Sequence, residues 1–568
     1  MAKGIHAVVF WGAGATHRLG MPLTKEQDTI FFSLSQKTPE TDYRECLQKH
    51  EDVFGDCLDD ICDLLTLLDD DPNVETEKGS IGYRMSGFSK RQLRIIDKHA
   101  KVLGDEQRKR INRVIMMRLR YDWAAVMRIL RLQRFNVKDK NHPADTFTQT
   151  IYNLIDSNIA AGTGVHIFDE NDSVLSNFID AVRLKAAKSA LVMFVNLMLA
   201  SAWAKNRCDF RKLEPYMRFG DLLAKIRAKE ASDTIREGMV PHRFNTAFVS
   251  MNFDPLLWWI IKNADAKYNK TPIYIGDDRT PLYLGEDVDQ VDAIRPFSGV
   301  CEGDNGILLN ETLLEQVAEF INKHGYNQSE RCLARYQTVK IFFPHGSPNL
   351  KICPCCGKTT LYQGNELSEN SRSLFPPFFF NGLSWGSIPS RVVRDDCSHF
   401  AEHVKWGEGE RDNIQCRHCG RSIRMCDTEM VMQSGLKMQP SFLLQRISHN
   451  VDNAVMNASH IILMGYSLPP DDGAWVAELQ ARTTRENECA KAYCSVIGHS
   501  EDTPNHWLYS DELDDFLKRN PNAAVENARR VFGVKCVRAH LKGIPDVFED
   551  EESVRELLYP IKWIGSQS

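Results

Sequence analysis

The 568-residue sequence predicts an α/β protein: a parallel sheet of about six strands, interrupted by one large helical insertion and one small cysteine-bracketed insertion. Three observations carry that expectation. Six short apolar runs each end in a turn rich in Gly, Asn, Asp, Ser or Pro, as buried parallel strands do where they meet a ligand-binding loop. Helical patterns precede several of them, such as PSFLLQRISHNVDNAVMNA ahead of His460. Two long stretches with few strand signals separate the runs.

The first run, HAVVFW, leads into the turn Gly12-Ala13-Gly14-Ala15-Thr16. The next are TAFVSMNFD (Thr246 to Asp254) and VKIFFPHG (Val339 to Gly346). HIILMGYSLPPDD (His460 to Asp472) and KAYCSVIGHS (Lys491 to Ser500) follow, and VKCVRAH (Val534 to His540) is the weakest.

The helical insertion spans about residues 28–239. Within it, Glu51 to Glu77 holds eleven acidic residues and no Lys or Arg, whereas Arg84 to Phe135 holds fifteen basic residues against four acidic ones. Two solvated helical faces of opposite sign that pair with one another would give this pattern, and so would a docking surface for a protein partner or nucleic acid. The most apolar segment, Ala190 to Ala204, contains Asn196 and falls short of the roughly 20 residues that span a bilayer, so it reads as a buried helix.

Composition narrows the function classes. Apolar residues make up 43 % and charged residues 26 %, ordinary values for a folded chain. Seventy basic against seventy-six acidic residues give a net charge of −6, which offers no global case for nucleic-acid or membrane binding. The N-terminal MAKGIHAVVFWGAGAT has too short an apolar core for a signal peptide, so a cytoplasmic location is expected. Sixteen Cys without an export signal then suggest reduced thiols and a metal site rather than a disulfide scaffold.

That metal site has a visible pattern. Cys353 and Cys356 form one CxxCG knuckle, and Cys416 and Cys419 form another. Two residues between ligands let both sulfurs meet one ion, and the following Gly permits the tight turn. Four thiolates make a closed tetrahedral zinc site, which is structural. Fifty-nine residues separate the knuckles, against about 15–20 in compact zinc ribbons. Cys355, Cys397, His399, His403 and Cys426 are therefore possible substitutes, and free buried thiols are the remaining reading.

The glycine turn lets backbone N–H groups approach a phosphate at a helix start. It is not a dehydrogenase fingerprint, because His17 stands where the third Gly belongs, and no Gly-Lys-Ser/Thr follows to make a P-loop.

Taken in order, GAGATHRLGMP, SMNFDPLL, FPHGS, the two knuckles and MGYSLPPDD resemble the sirtuin-like family. The Gly-Met-Pro-Leu-Thr-Lys run at 20–25 departs from the Gly-Ile-Pro-Asp-Phe-Arg element of the family's protein deacylases. The sequence is closer to the bacterial anti-phage-defence branch, whose members hydrolyse NAD. LFPPFFF (Leu374 to Phe380) also resembles a Pro-Pro segment of that branch.

The resemblance implies a Rossmann-like NAD-binding domain formed by residues 1–27, 240–350 and 437–552. The resemblance does not cover residues 28–239, which are expected to carry assembly or regulation because the catalytic motifs lie outside them and their acidic and basic blocks are complementary; 351–436 would bind zinc, and 553–568 would be a C-terminal tail. Asn252 would hold a ribose hydroxyl and a water; a turn-capping Asn is the bland alternative. Asp254 would hold the nicotinamide carboxamide, or cap the helix starting at Pro255. His345 would accept a ribose hydroxyl proton. Gly12, Ala13, Gly14, Ala15 and Thr16 would cradle the pyrophosphate, although Thr16 also reads as a first helix cap. Gly465 and Ser467 would contact ribose or phosphate, and Gly498 the adenine.

The implied function is an NAD hydrolase, the toxic effector of a bacterial defence system. An NAD-dependent protein deacylase and a catalytically silent NAD or ADP-ribose sensor are the alternatives. Such a hydrolase must be quiet until triggered. With no sensor domain recognisable in the sequence, the trigger is expected from homo-oligomer assembly or from a partner such as an ATPase or nucleotide-handling protein.

Overall fold

The computed structural model describes residues 6–38, 40–69, 90–99, 114–115, 117–135, 147–167, 178–207, 209–236, 245–269, 340–353, 355–357, 359–361, 374–375, 419, 428–432, 442–469, 472–483, 492–501 and 503–567. Most of the acidic-to-basic transition, including Arg108, Lys109 and Arg110, lies outside the described residues, as does Cys416.

The strands, in chain order, are β1 His6–Trp11, β2 Val165–His166, β3 Phe178–Ile179, β4 Asn245–Ser250, β5 Lys340–Phe342, β6 Gly346–Ile352, β7 Thr359–Leu361, β8 Thr428–Met430, β9 His460–Met464, β10 Tyr493–Ile497, β11 Leu508–Tyr509 and β12 Val537–His540. The main sheet has seven strands in the order β11-β12-β10-β9-β1-β4-β5. All its pairings are parallel except β11 with β12. The six apolar runs are its six parallel strands, and β11 is a two-residue antiparallel edge that the apolar pattern does not announce. Val8 to Trp11, Ile461 to Met464 and Val496 to Ile497 are almost wholly buried, as strands covered on both faces must be.

The chain's first strand sits in the middle, with β4 on one side and β9 on the other. The strand order reverses there, the topology at which open α/β sheets carry ligand sites beyond the strands' carboxyl ends. β6, β7 and β8 form a separate three-stranded antiparallel sheet, with the Cys353–Gly357 knuckle between β6 and β7.

The helices used below are α1 Ala13–Thr16, α2 Thr24–Ser35, α3 Trp123–Phe135, α4 Ala181–Asn206, α5 Phe210–Arg236, α6 Leu256–Asn269, α7 Phe442–Asn457, α8 Gly473–Thr483 and α9 Glu551–Leu558. The apolar segment expected as a short buried helix lies within α4, which has 26 residues because Ala, Lys and Arg residues extend it toward the N-terminus. By length and composition α4 could cross a membrane, but 78 % of its most apolar window is buried within the protein. Phe194 packs on Phe31, Phe54 and Trp123, and Trp203 packs edge-on against Trp259 of α6.

One apolar core runs through the helical region and the sheet alike. Phe219 of α5 lies over Trp11 and Phe548, and Tyr216 donates its hydroxyl to the Ala15 carbonyl at 2.7 Å. The helices of residues 28–239 thus reach the glycine turn itself. The C-terminal residues also join the core: Val554, Leu557 and Leu558 are buried, and Tyr559 shares a hydrogen bond with Thr246.

Candidate functional site

The glycine turn is built by close approach of two backbones. Gly14 N donates to the Gly465 carbonyl at 3.0 Å, and a Cβ on Gly12 would stand 2.5 Å from that same oxygen. Gly465 has φ +61°, and a Cβ there would lie 2.2 Å from Ala15 N. Only glycine satisfies both conditions. Gly12 precedes α1, a single turn of helix ending at Thr16.

Asn252 and Asp254 lie beyond the end of β4, which stops at Ser250. The pleat of a continuing strand therefore does not align them; the turn after β4 does. Asn252 Nδ2 donates to the Gly12 carbonyl and to Thr16 Oγ1, each at 3.1 Å. Thr16 Oγ1 donates to Asp254 Oδ2 at 3.3 Å. Asp254 Oδ1 accepts the Leu256 N–H at 3.1 Å, the helix-start role foreseen for it. Thr16 is the last residue of α1 and no first cap; its hydroxyl links Asn252 to Asp254 instead. Burial pushes the Asp254 carboxyl up to about 6, outweighing the lowering by the Leu256 N–H and by its neighbours Thr16 and Asn252.

His345 follows β5 by three residues and is 5 % exposed. Its carbonyl accepts the Val431 N–H, and Ser347 Oγ donates to the Phe253 carbonyl at 3.1 Å. The first bond ties the β5–β6 turn to the residue after β8, and the second ties it to the Asn252–Asp254 turn. His345 Nδ1 stands 3.4 Å from the Met251 carbonyl, and Nε2 stands 3.4 Å from Asp472 Oδ1. Tyr466 donates its hydroxyl to Asp472 Oδ2 at 2.6 Å. Nothing local in the sequence marks Asp472: it is one of two Asp in a Pro-Pro-Asp-Asp turn.

His345 also borders a cavity of about 210 Å³ together with Asp452, Trp475 and Glu478. Burial and the neighbouring Glu478 carboxylate push Asp452 upward. A larger cavity of about 410 Å³, beside Trp507 and His540, includes none of these residues.

The structure thus brings together Gly12 to Thr16, Asn252, Asp254, His345 and Gly465. Ser467 is exposed, and its carbonyl accepts from Asn527 Nδ2 at 2.9 Å. Gly498 lies past the end of β10, one strand further from β1 than β9, and donates to the His540 carbonyl.

Cys353, Cys356 and Cys419 bring their thiols within 4.8 Å of one another and could hold a metal ion. Gly357, with φ +71°, makes the first knuckle's turn, and its N–H donates to the Cys353 carbonyl. Burial raises the Cys353 thiol, but N–H groups of Cys356 and Cys355 and the thiols of Cys419 and Cys356 prevail and bring it to about 7. Three soft sulfur donors, one of them readily ionised, suit a thiophilic metal ion.

No protein family matches the chain, and no curated protein does.

Proposed function

We propose that the chain is a sirtuin-like NAD hydrolase on a Rossmann-like sheet, cleaving the nicotinamide–ribose bond. One observation carries the reading: the glycine turn, Asn252, Asp254 and His345 converge at the carboxyl ends of β1, β4 and β5, where doubly wound sheets bind dinucleotides. The six parallel strands also follow the order of such sheets.

In this reading NAD and water become nicotinamide, ADP-ribose and a proton. Departure of nicotinamide neutralises its ring and leaves an oxocarbenium-like ribosyl centre. Asn252, whose Nδ2 is committed to the turn, presents its carboxamide oxygen to a ribose hydroxyl or the attacking water without adding charge. Asp254 accepts from the nicotinamide carboxamide. His345 takes a proton from a ribose hydroxyl as positive charge grows on the ring. Zinc, held by Cys353, Cys356 and Cys419 with Cys416 as the fourth ligand, would pin the three-stranded sheet whose first residue follows His345; its role is structural. Restraint through self-assembly or a nucleotide-handling partner, in a cytoplasmic defence setting, completes the proposal.

The test is incubation with NAD, with and without an acetylated peptide. Hydrolysis without peptide is expected, with His345→Ala and Asn252→Ala each folded and slower by about 10²–10⁴-fold. Peptide-dependent turnover would favour a deacylase, and binding without turnover a sensor.

A further inference from the structure

We propose that the cavity of about 410 Å³ at the β11–β12 edge of the main sheet is a second ligand site, for a small aliphatic polyamine. It shares no residue with the candidate site, and the proposal is independent of the NAD reading.

Four separate pieces of chain wall the cavity. Trp507 immediately precedes β11, and His540 ends β12. Asp546 and Val547 lie on the helical turn Pro545–Phe548, and Tyr559 follows α9. The volume falls within the roughly 300–1,000 Å³ of small-molecule sites.

His540 is 5 % exposed, and neither of its ring nitrogens has a hydrogen-bond partner among the described residues. Nδ1 is enclosed, so what the ring still shows faces the cavity it lines. Burial, helped by the positive charges of Arg538 and His506, holds the imidazole neutral against the opposing pull of Asp546. A neutral ring keeps a lone pair that can accept an N–H from a ligand.

The sign of the occupant follows from which charges are already engaged. Arg555 donates to Glu551 at 3.1 Å, His506 stands 2.7 Å from Glu512, and the Glu556 carboxylate holds Arg538. Asp546, Glu549 and Glu552 remain, with no hydrogen bond or ion pair to their side chains among the described residues, against the one ammonium of Lys562. An anion would meet Asp546 at the His540 end, whereas an ammonium group finds a carboxylate and an imidazole acceptor there.

The spread of these acceptors sets the kind of cation. Among the described residues only the thiols of Cys353, Cys356 and Cys419 bring three donors within 4.8 Å of one another, so the cavity does not offer a chelating set for a bare metal ion. His540 and Asp546 are set back, while Glu549 and Glu552 are exposed. Two ammonium groups joined by methylenes can serve both levels. Val547 and the buried Tyr559 give the methylenes an apolar wall. Trp507 already carries one cation, the Arg538 guanidinium 3.8 Å from its ring centroid.

Titration calorimetry of spermidine into the full chain, at fixed ionic strength and without NAD, tests the site. Saturable binding of one equivalent per chain is expected. Asp546→Asn should weaken it by about 10–100-fold. Glu549→Gln together with Glu552→Gln, both on the surface, should weaken it by about 3–10-fold and serves if Asp546→Asn does not fold. Asp515→Asn, which removes an exposed carboxylate outside the cavity, should leave the affinity unchanged. Magnesium chloride of equal charge concentration should not displace the amine. Absence of saturable binding overturns the proposal, as does an affinity unmoved in Asp546→Asn or, failing that, in the double variant. Equal weakening in Asp515→Asn, or displacement by magnesium, would mean general counter-ion attraction and overturns it too.

Discussion

Replacing Gly465 by alanine should damage the protein in two additive ways, and two other glycines separate them. At Gly465 the backbone has φ +61°, where an L side chain costs about 1–2 kcal/mol. The new Cβ would also stand 2.2 Å from Ala15 N, 2.5 Å from Gly14 C and 2.9 Å from Gly14 Cα. All three are backbone atoms, so the glycine turn must move; forced overpacking of this kind costs a further 1–3 kcal/mol, about 2–5 kcal/mol together. Gly162 has φ +65° with nothing within 4 Å of its Cβ position, so Gly162→Ala isolates the conformational part, about 1–2 kcal/mol. Gly473, first residue of α8, has neither problem, and Gly473→Ala should be neutral or stabilising by about 0.5–1 kcal/mol. Urea midpoints of the three variants, with NAD affinity measured alongside, make the assay. The order Gly473→Ala, Gly162→Ala, Gly465→Ala is expected for falling stability, with NAD affinity lost in Gly465→Ala alone. If Gly465→Ala costs no more than Gly162→Ala, the contact between the two turns is not as tight as described.

Asp254 should make stability fall as pH rises. Its folded value of about 6 lies above the ordinary 3.8, so its contribution is complete below the unfolded value and is lost as pH climbs through about 6. The span corresponds to roughly 3 kcal/mol, and Asp254→Asn should remove that part of the decline; an identical pH profile of urea midpoints contradicts the buried-carboxyl account. Metal analysis should find one zinc per chain, and Cys419→Ser should release it with strong loss of stability; a metal-free, stable wild type would be inconsistent with the thiol cluster as a zinc site. Asn196 is fully buried in α4 with neither amide atom hydrogen-bonded, so Asn196→Leu should stabilise by about 1–3 kcal/mol in the same urea assay, and a loss of stability would mean the amide has a partner.

The sheet was legible because its signal is local. A buried parallel strand must be apolar on both faces and must end where the chain turns, and HAVVFW, TAFVS and HIILM each carry that pattern within a few residues. The knuckle Cys353-Cys356-Gly357 is equally local, since ligand spacing and the left-handed glycine belong to one short turn. The two-residue edge β11 is too short for any period to register.

What required the tertiary structure is everything set by strand order. Chain sequence does not place β9 beside β1; only the folded sheet does, and that adjacency presses Gly465 into the glycine turn and delivers Asp472 to His345. Thr16 reads as a cap from its neighbours, yet its hydroxyl serves Asn252 and Asp254, brought from the far side of a helical region whose own Tyr216 holds Ala15. Periodicity fixes which face of a strand or helix is buried, whereas hydrogen bonds between turns depend on which strand ends become neighbours, and apolar packing across the whole core decides that.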